Sequence, residues 1–346
     1  MSSEAKEITM RALAARSMRK SRALLVVGVT AAAFLVANSS ASAASVAINL
    51  CAVPGTATLT GAVTVPIWGF ATTATPGACG AVTASLPGPA LGNNATAGNA
   101  VVHAGDTVTV NITNGLPAGH TLTFEIPGIT FNAGATDIAA GASGTVSFTA
   151  SAPGTYLYQA GGTQGRLAAM GLAGALIVNP ATANQAYDSA TTAYNTQTTV
   201  VLGAVDPNFN AAPDTFDMYG YHATYWLING KAYPDTAGIV AAAGQRLLLR
   251  YVNAGFDNTS MALLGMHEQV LARDAHLLNN PFYANAETIP AGATEDAIAT
   301  IPAGAAPSTH GFPLYNRQLH VTNGNQTGTN PNPRSVALAG GSTGSP

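Results

Sequence analysis

At 346 residues the chain is long enough for about two domains of ordinary size, each able to bury a core. Only 8% of its residues are charged, and Lys, Glu and Arg are too scarce to clothe many amphipathic helices, which points to a β-rich protein. The formal net charge is −3, but six of the thirteen basic residues precede position 44; the remainder sets seven bases against fourteen acids, with no basic patch to follow a phosphate backbone, which argues against nucleic acid as a partner.

In chain order, Arg16, Arg19, Lys20 and Arg22 precede the apolar run ALLVVGVTAAAFLVA, and Ala41, Ser42 and Ala43 follow it. A basic zone, an apolar zone of about 15 residues and small residues at the end are the three parts of a secretory signal. The run is short of the ~20 residues that span a bilayer. Residues 1–43 are therefore expected to be a signal peptide cut after Ala43, sending the protein to the cell surface or the extracellular space with no membrane span afterwards. Cys51 and Cys79 are the two cysteines, and in an exported chain they are expected to form a disulfide.

Period-two alternation then dominates. TVTVNIT puts Val108, Val110 and Ile112 on one face, TLTFEI does the same with Leu122, Phe124 and Ile126, and TVSFTA with Val146 and Phe148. The stretch PGTYLYQAGGTQ reads as a turn, a strand with Thr155, Leu157 and Gln159 on one face, and a glycine-rich exit. GALIV closes this set as a buried strand before Pro180. One pattern then returns: AGDTVTVNITN (Ala104–Asn114) and AGQRLLLRYVN (Ala243–Asn253) share Ala-Gly, three alternating apolar positions and a closing Asn. A recurrence that far apart indicates a duplicated domain and not a solenoid. The expected organisation is a first domain over 44–180, a polar linker over 181–196, a second domain over 197–325 and a flexible tail over 326–346.

Reactive groups are sparse. No Gly-x-Ser-x-Gly elbow surrounds a serine such as Ser85. Asp214 with Asp217 and Glu295 with Asp296 read as solvated turn acids, and Arg246 and Arg250 as strand residues making surface ion pairs with acids such as Asp274. Tyr156, Tyr158, Tyr225 and Trp226 read as packing aromatics at the sandwich core or a domain junction.

Taken in order, GPALGN, AGDTVTVNITNGLP, SFTASAPGTYLYQAG, AMGLAGALIVNP, YWLINGKAYPDT, AGQRLLLRYVNAG, LLGMHEQVLARD and LYNRQLHVTNG resemble the multicopper oxidase family. The resemblance covers roughly Pro66 to Gly324 and implies two tandem cupredoxin-like Greek-key β-sandwich domains. It also implies copper held by His-x-His pairs, because two imidazoles at i and i+2 of a strand point to one side. Here the first such place holds Thr123, Phe124 and Glu125, and the second holds Gln159, Ala160 and Gly161. In the second repeat the slots fall on Ala262 and Leu264, and the family's late His-Cys-His falls near Asn316, Arg317 and Gln318. No cysteine follows Cys79, so a thiolate-bound copper has no sulfur to use.

The seven histidines are His103, His120, His222, His267, His276, His310 and His320, no two closer than nine positions. The expectation is a secreted scaffold without copper or any other cofactor, with no catalytic or metal-binding residues and no identifiable small-molecule substrate. It would act as a structural or binding protein at the cell surface or in the matrix, with self-association as its candidate partnership. The competing expectation is a copper-dependent oxidoreductase with relocated ligands, for example His267, His320 and Met266. A third is a ligand-binding module with a pocket between the domains.

Overall fold

Val108, Val110 and Ile112 are 0–1% exposed, and the threonines and asparagine between them face outward, so the alternation read from the sequence is the alternation of a half-buried strand. A computed structural model describes residues 43–162, 165–305, 311–318, 323–324 and 336–339. The expected signal peptide lies outside the described residues save Ala43, as does most of the expected tail.

The first sandwich is built from β1 (Ser45–Leu59), β2 (Val63–Thr72), β3 (Thr107–Asn114), β4 (Leu122–Glu125), β5 (Ala133–Gly134), β6 (Asp137–Ile138), β7 (Ser143–Thr149), β8 (Gly154–Gly161) and β9 (Ala173–Val178). One sheet runs β2-β1-β3-β7-β5 and faces a second, β6-β4-β8-β9. The second sandwich uses β10 (Thr196–Val205), β11 (Tyr225–Ile228), β12 (Arg246–Asn253), β13 (Thr259–Leu263), β14 (Glu268–Arg273), β15 (His276–Ala284), β16 (Ala286–Ile289), β17 (Thr294–Thr300), β18 (Phe312–Asn316) and β19 (Val336–Ala339). Its sheets run β11-β10-β12-β17-β14-β15 and β16-β13-β18-β19. The strand β19 falls within the segment expected to be a flexible tail and pairs antiparallel with β18.

The two halves repeat one topology. In each, the entry strand lies parallel to the strand carrying the shared motif and antiparallel to its hairpin partner: β1 with β3 and β2, β10 with β12 and β11. The shared Ala-Gly has a physical reason. Gly105 and Gly244 hold φ of 96° and 77°, a region that disfavours other residues, and each N–H donates to the strand end beyond, to Ala150 O at 2.7 Å and Ile301 O at 3.0 Å.

The shared Asn has one as well. Asn114 Nδ2 donates to the carbonyls of His120 and Ile138, both at 2.8 Å, and its Oδ1 accepts from Leu116 N at 3.1 Å. Asn253 repeats this, donating to Asp257 O and Ile289 O at 2.8 and 2.9 Å and accepting from Gly255 N at 3.1 Å. Both side chains are buried, so each clamps the turn leaving its strand with no polar atom unsatisfied.

β8 departs from half-burial, because both of its faces are covered. Tyr156, Tyr158 and Ala160 enter the first core beside Phe70, Phe124 and Phe148, whereas Leu157 packs with Ala173, Ala175 and Ile177 against Val201 and Val252 of the second sandwich. A second junction joins Cys51, Val53 and Ile67 to Val205, Tyr225 and Leu227. The Cys51 and Cys79 sulfurs are bonded there. The stretch expected to be a polar linker is packed as well: Ala186 and Tyr187 sit with Leu248, Leu271 and Ile298. Among the described residues no helix is long and apolar enough to cross a membrane.

Candidate functional site

The two segments that would carry the first domain's His-x-His pairs are hydrogen-bonded neighbours. In the antiparallel register of β4 and β8, Thr123 stands opposite Gly161 and Glu125 opposite Gln159. Gln159 Nε2 donates to Glu125 Oε1 at 2.6 Å, and Thr123 Oγ1 donates to Asp137 Oδ1 at 2.7 Å. The Glu125 carboxylate also lies over Gly161: a Cβ there would meet Glu125 Oε2 at 3.0 Å. Phe124 and Ala160, the middle residues, point the other way into the core at 0% exposure. The facing positions of the two strands thus carry an amide–carboxylate pair.

In the second sandwich, Ala262 is paired with Tyr315, and Leu264 N donates to Pro313 O at 2.8 Å. Asn316 is opposite Met261, Arg317 N donates to Ser260 O at 2.6 Å, and Gln318 N donates to Asn316 Oδ1 at 2.9 Å. Pro313 and Tyr315 are the residues facing Leu264 and Ala262. Met266 is 8% exposed within the second core, a packing position, and Leu264 is 59% exposed.

The described histidines are dispersed. His120 packs against Trp68 with ring centroids 4.4 Å apart and the rings tilted by 54°, and places Nε2 3.2 Å from Asp214 Oδ1. His276 Nδ1 lies 2.6 Å from Asp274 O, and His103 Nδ1 lies 3.9 Å from Asp106 Oδ2. His310 and His320 lie outside the described residues, so a site built with His320 does too. Among the described residues no three His, Cys, Asp or Glu side chains are grouped to hold a metal ion.

The strongest electrostatic feature went unread in the sequence. Arg250 and Asp296, expected at the surface and in a solvated turn, are each 1% exposed on adjacent strands β12 and β17. Arg250 Nη1 is 3.4 Å from Asp296 Oδ2 and donates to Thr155 Oγ1 at 3.0 Å, while Thr155 Oγ1 donates to Asp296 Oδ1 at 2.6 Å. Tyr187 OH donates to Asp296 Oδ2 at 2.6 Å, and Arg250 Nε to Gln197 Oε1 at 2.9 Å. A buried charge needs both a counter-ion and hydrogen bonds, and this one draws them from both sandwiches. Arg246 remains near the surface and donates to Thr191 O, while Asp274 Oδ1 accepts from Thr294 N. Asp214 and Asp217 are turn acids, Asp214 being 65% exposed and Asp217 accepting from Tyr219 N.

Glu295, also expected in a solvated turn, is 3% exposed. Burial pushes its carboxyl up to about 8 despite the Arg273 Nε donor 3.1 Å from Oε2. Burial likewise pushes Glu268 up to about 7, although Tyr251 OH donates to its Oε1 at 2.9 Å. A cleft of ≈ 380 Å³ opens where β8 meets the second sandwich, with Tyr156, Asp274 and His276 among its lining residues.

Residues 85–183 match the family model described as multicopper oxidase. The solved blue copper oxidase from Nitrosomonas europaea superposes with a TM-score of 0.66 at 20% identity, over 85% of this chain and 84% of that one. The fold is that of the multicopper oxidases. The multicopper oxidase mgLAC gives a TM-score of 0.68 at 20% identity over 86% of each chain. The copper nitrite reductase from Nitrosomonas europaea gives 0.62 at 19% over 85% and 93%. No curated protein sequence matches the chain.

On this multicopper oxidase fold the donor set at these three pairs of positions does not fit copper. Thr123, Glu125, Gln159, Gly161, Ala262 and Leu264 offer neither imidazole nor thiolate; Gln159 Nε2 already donates to Glu125 Oε1, and Thr123 Oγ1 donates to Asp137 Oδ1.

Proposed function

We propose that the protein is a secreted, non-catalytic member of the multicopper oxidase structural class that has lost its copper centres and serves as a structural or binding protein at the cell surface or in the extracellular matrix. The observation that carries this reading is the Gln159–Glu125 hydrogen bond between β8 and β4: the backbone that would present facing imidazoles is kept, and its side chains satisfy each other. Decay of a useless site would be expected to damage packing and ligands alike, yet the paired Asn114 and Asn253 clamps are intact. A sparsely charged surface suits lateral contacts, and self-association is part of the proposal.

The test is metal analysis of the exported protein after incubation with Cu(II) and removal of loose metal. The expected result is less than one copper in ten chains and no oxygen uptake with a phenol substrate. Stoichiometric copper with an EPR signal would establish the oxidoreductase with relocated ligands instead. Sedimentation across a concentration series is expected to show species larger than one chain; monomers throughout would remove self-association.

A further inference from the structure

The first sandwich begins at the residue that signal cleavage would expose. Ala44 is fixed by both of its backbone polar groups: its N donates to Asp106 Oδ1 at 2.9 Å, and its carbonyl accepts from Thr107 N at 2.8 Å. β1 starts one residue later, with Ser45 opposite Thr107. Asp106 is itself 5% exposed, and its Oδ2 accepts from His103 N at 2.8 Å. Among the described residues its only basic neighbour within ion-pair reach is His103, at 3.9 Å. Ala43 and Ala44 are exposed, and small residues precede them.

The second sandwich supplies an internal comparison. The residue corresponding to Asp106 is Gln245, whose neutral Oε1 caps Ala242 N at 2.9 Å as Asp106 caps His103 N. There the chain enters β10 from a preceding segment, and the N–H of Tyr194, which corresponds to Ala44, donates to the backbone carbonyl of Asn184 at 2.9 Å. A neutral cap thus stands where the polypeptide runs on. A buried carboxylate aimed at the entering nitrogen stands where the expected cleavage would leave a chain end.

We infer that the mature polypeptide starts at Ala44 and that Asp106 is the binding site for its new α-ammonium. This rests on the reading of the protein as exported. A signal peptidase would hydrolyse the Ala43–Ala44 bond with one water. The Ala43 carbonyl carbon takes the hydroxyl and becomes a carboxylate, and the Ala44 nitrogen leaves as an amine and takes up a proton. The amide hydrogen bond to Asp106 then becomes an ionic one, about twice as strong as a bond between neutral groups. Processing so tightens the start of β1.

The experiment sequences the N-terminus of protein exported by a secreting host, and then compares thermal melting of chains starting at Ala44 and at Ser42, each with and without D106N. Export should give Ala44 as the first residue. The Ala44 start should melt about 2–4 °C above the Ser42 start, on the scale of one ionic hydrogen bond in a chain of this size, and D106N should abolish that difference. A different first residue would overturn the cleavage position together with the ion pair, whereas an Ala44 start with no melting difference, or one that survives D106N, would overturn the ion pair alone. Should D106N not fold, labelling of the α-amine by an amine-selective acylating reagent near pH 8 takes its place. Slower reaction folded than unfolded supports the pairing, and equal rates overturn it.

Discussion

Arg250 and Asp296 face each other at 3.4 Å with 1% of either side chain exposed, and Thr155 of the opposite sandwich hydrogen-bonds to both. The pair lies in the second sandwich but takes a hydrogen-bond partner from the first. Removing one partner leaves the other charge buried and uncompensated, which costs about 3–5 kcal/mol. R250A is expected to lose stability of that size in urea denaturation. It is also expected to separate the melting of the two sandwiches into two calorimetric transitions, whereas R246A, near the surface, changes stability by about 0–1 kcal/mol.

N114A and N253A should behave as twins. Each removes two donations and one acceptance from a buried turn, leaving carbonyls unsatisfied at about 1–3 kcal/mol. Chemical denaturation of the two variants should give losses within experimental error of each other; a large loss in one and none in the other would contradict the functional equivalence of the repeated asparagine.

Reduction of the Cys51–Cys79 bond, which closes a loop with a sequence separation of 28, should lower stability by about 3 kcal/mol. Because Cys51 packs with Val205, Tyr225 and Leu227, C51S/C79S should also loosen the junction between the sandwiches. Hydrogen exchange at Tyr225–Ile228 would register that.

Glu268 and Glu295 set a pH dependence of defined sign. Their carboxyls are raised to about 7 and about 8 by burial, so between the ordinary carboxylate range and pH 8 the folded chain holds more protons than the unfolded one. Stability then falls as pH rises through that window. Thermal melts from pH 5 to pH 8 should decline, and E268Q, which keeps an acceptor for Tyr251, should match the wild type at pH 5 and exceed it at pH 8. A flat wild-type profile would contradict the burial of these acids in the neutral form.

Much of this molecule is legible from spacing alone, because β3, β4 and β7 bury one face against their own domain and so alternate with period two. What resisted reading depends on partners remote in sequence. β8 is covered twice because its second face meets the other sandwich, and Thr155 finds Asp296 across 141 residues. One signal for the buried pair was present: an arginine inside the apolar run Leu247–Val252 has to be buried, and burial demands a carboxylate and further hydrogen-bond partners. At the candidate site the order of motifs places Thr123 to Gly161 on neighbouring strands, but the β13–β18 register is set by hydrogen bonds between segments remote in sequence, which no local pattern encodes.

The margin of the second sandwich has its own bearing on how copies could meet. β15 forms the outer edge of its sheet, yet Val270 pairs with Phe282 and Ala272 with Leu277, which throws Leu278 to Pro281 out of line. A neighbouring ribbon sliding along this border would find a kink and a prolyl ring where it needs an N–H. Growth by continuous backbone pairing is blocked there, so any contact made at that border must rest on protruding side chains such as Tyr283, 69% exposed, giving discrete, shape-matched junctions and not an open-ended ribbon.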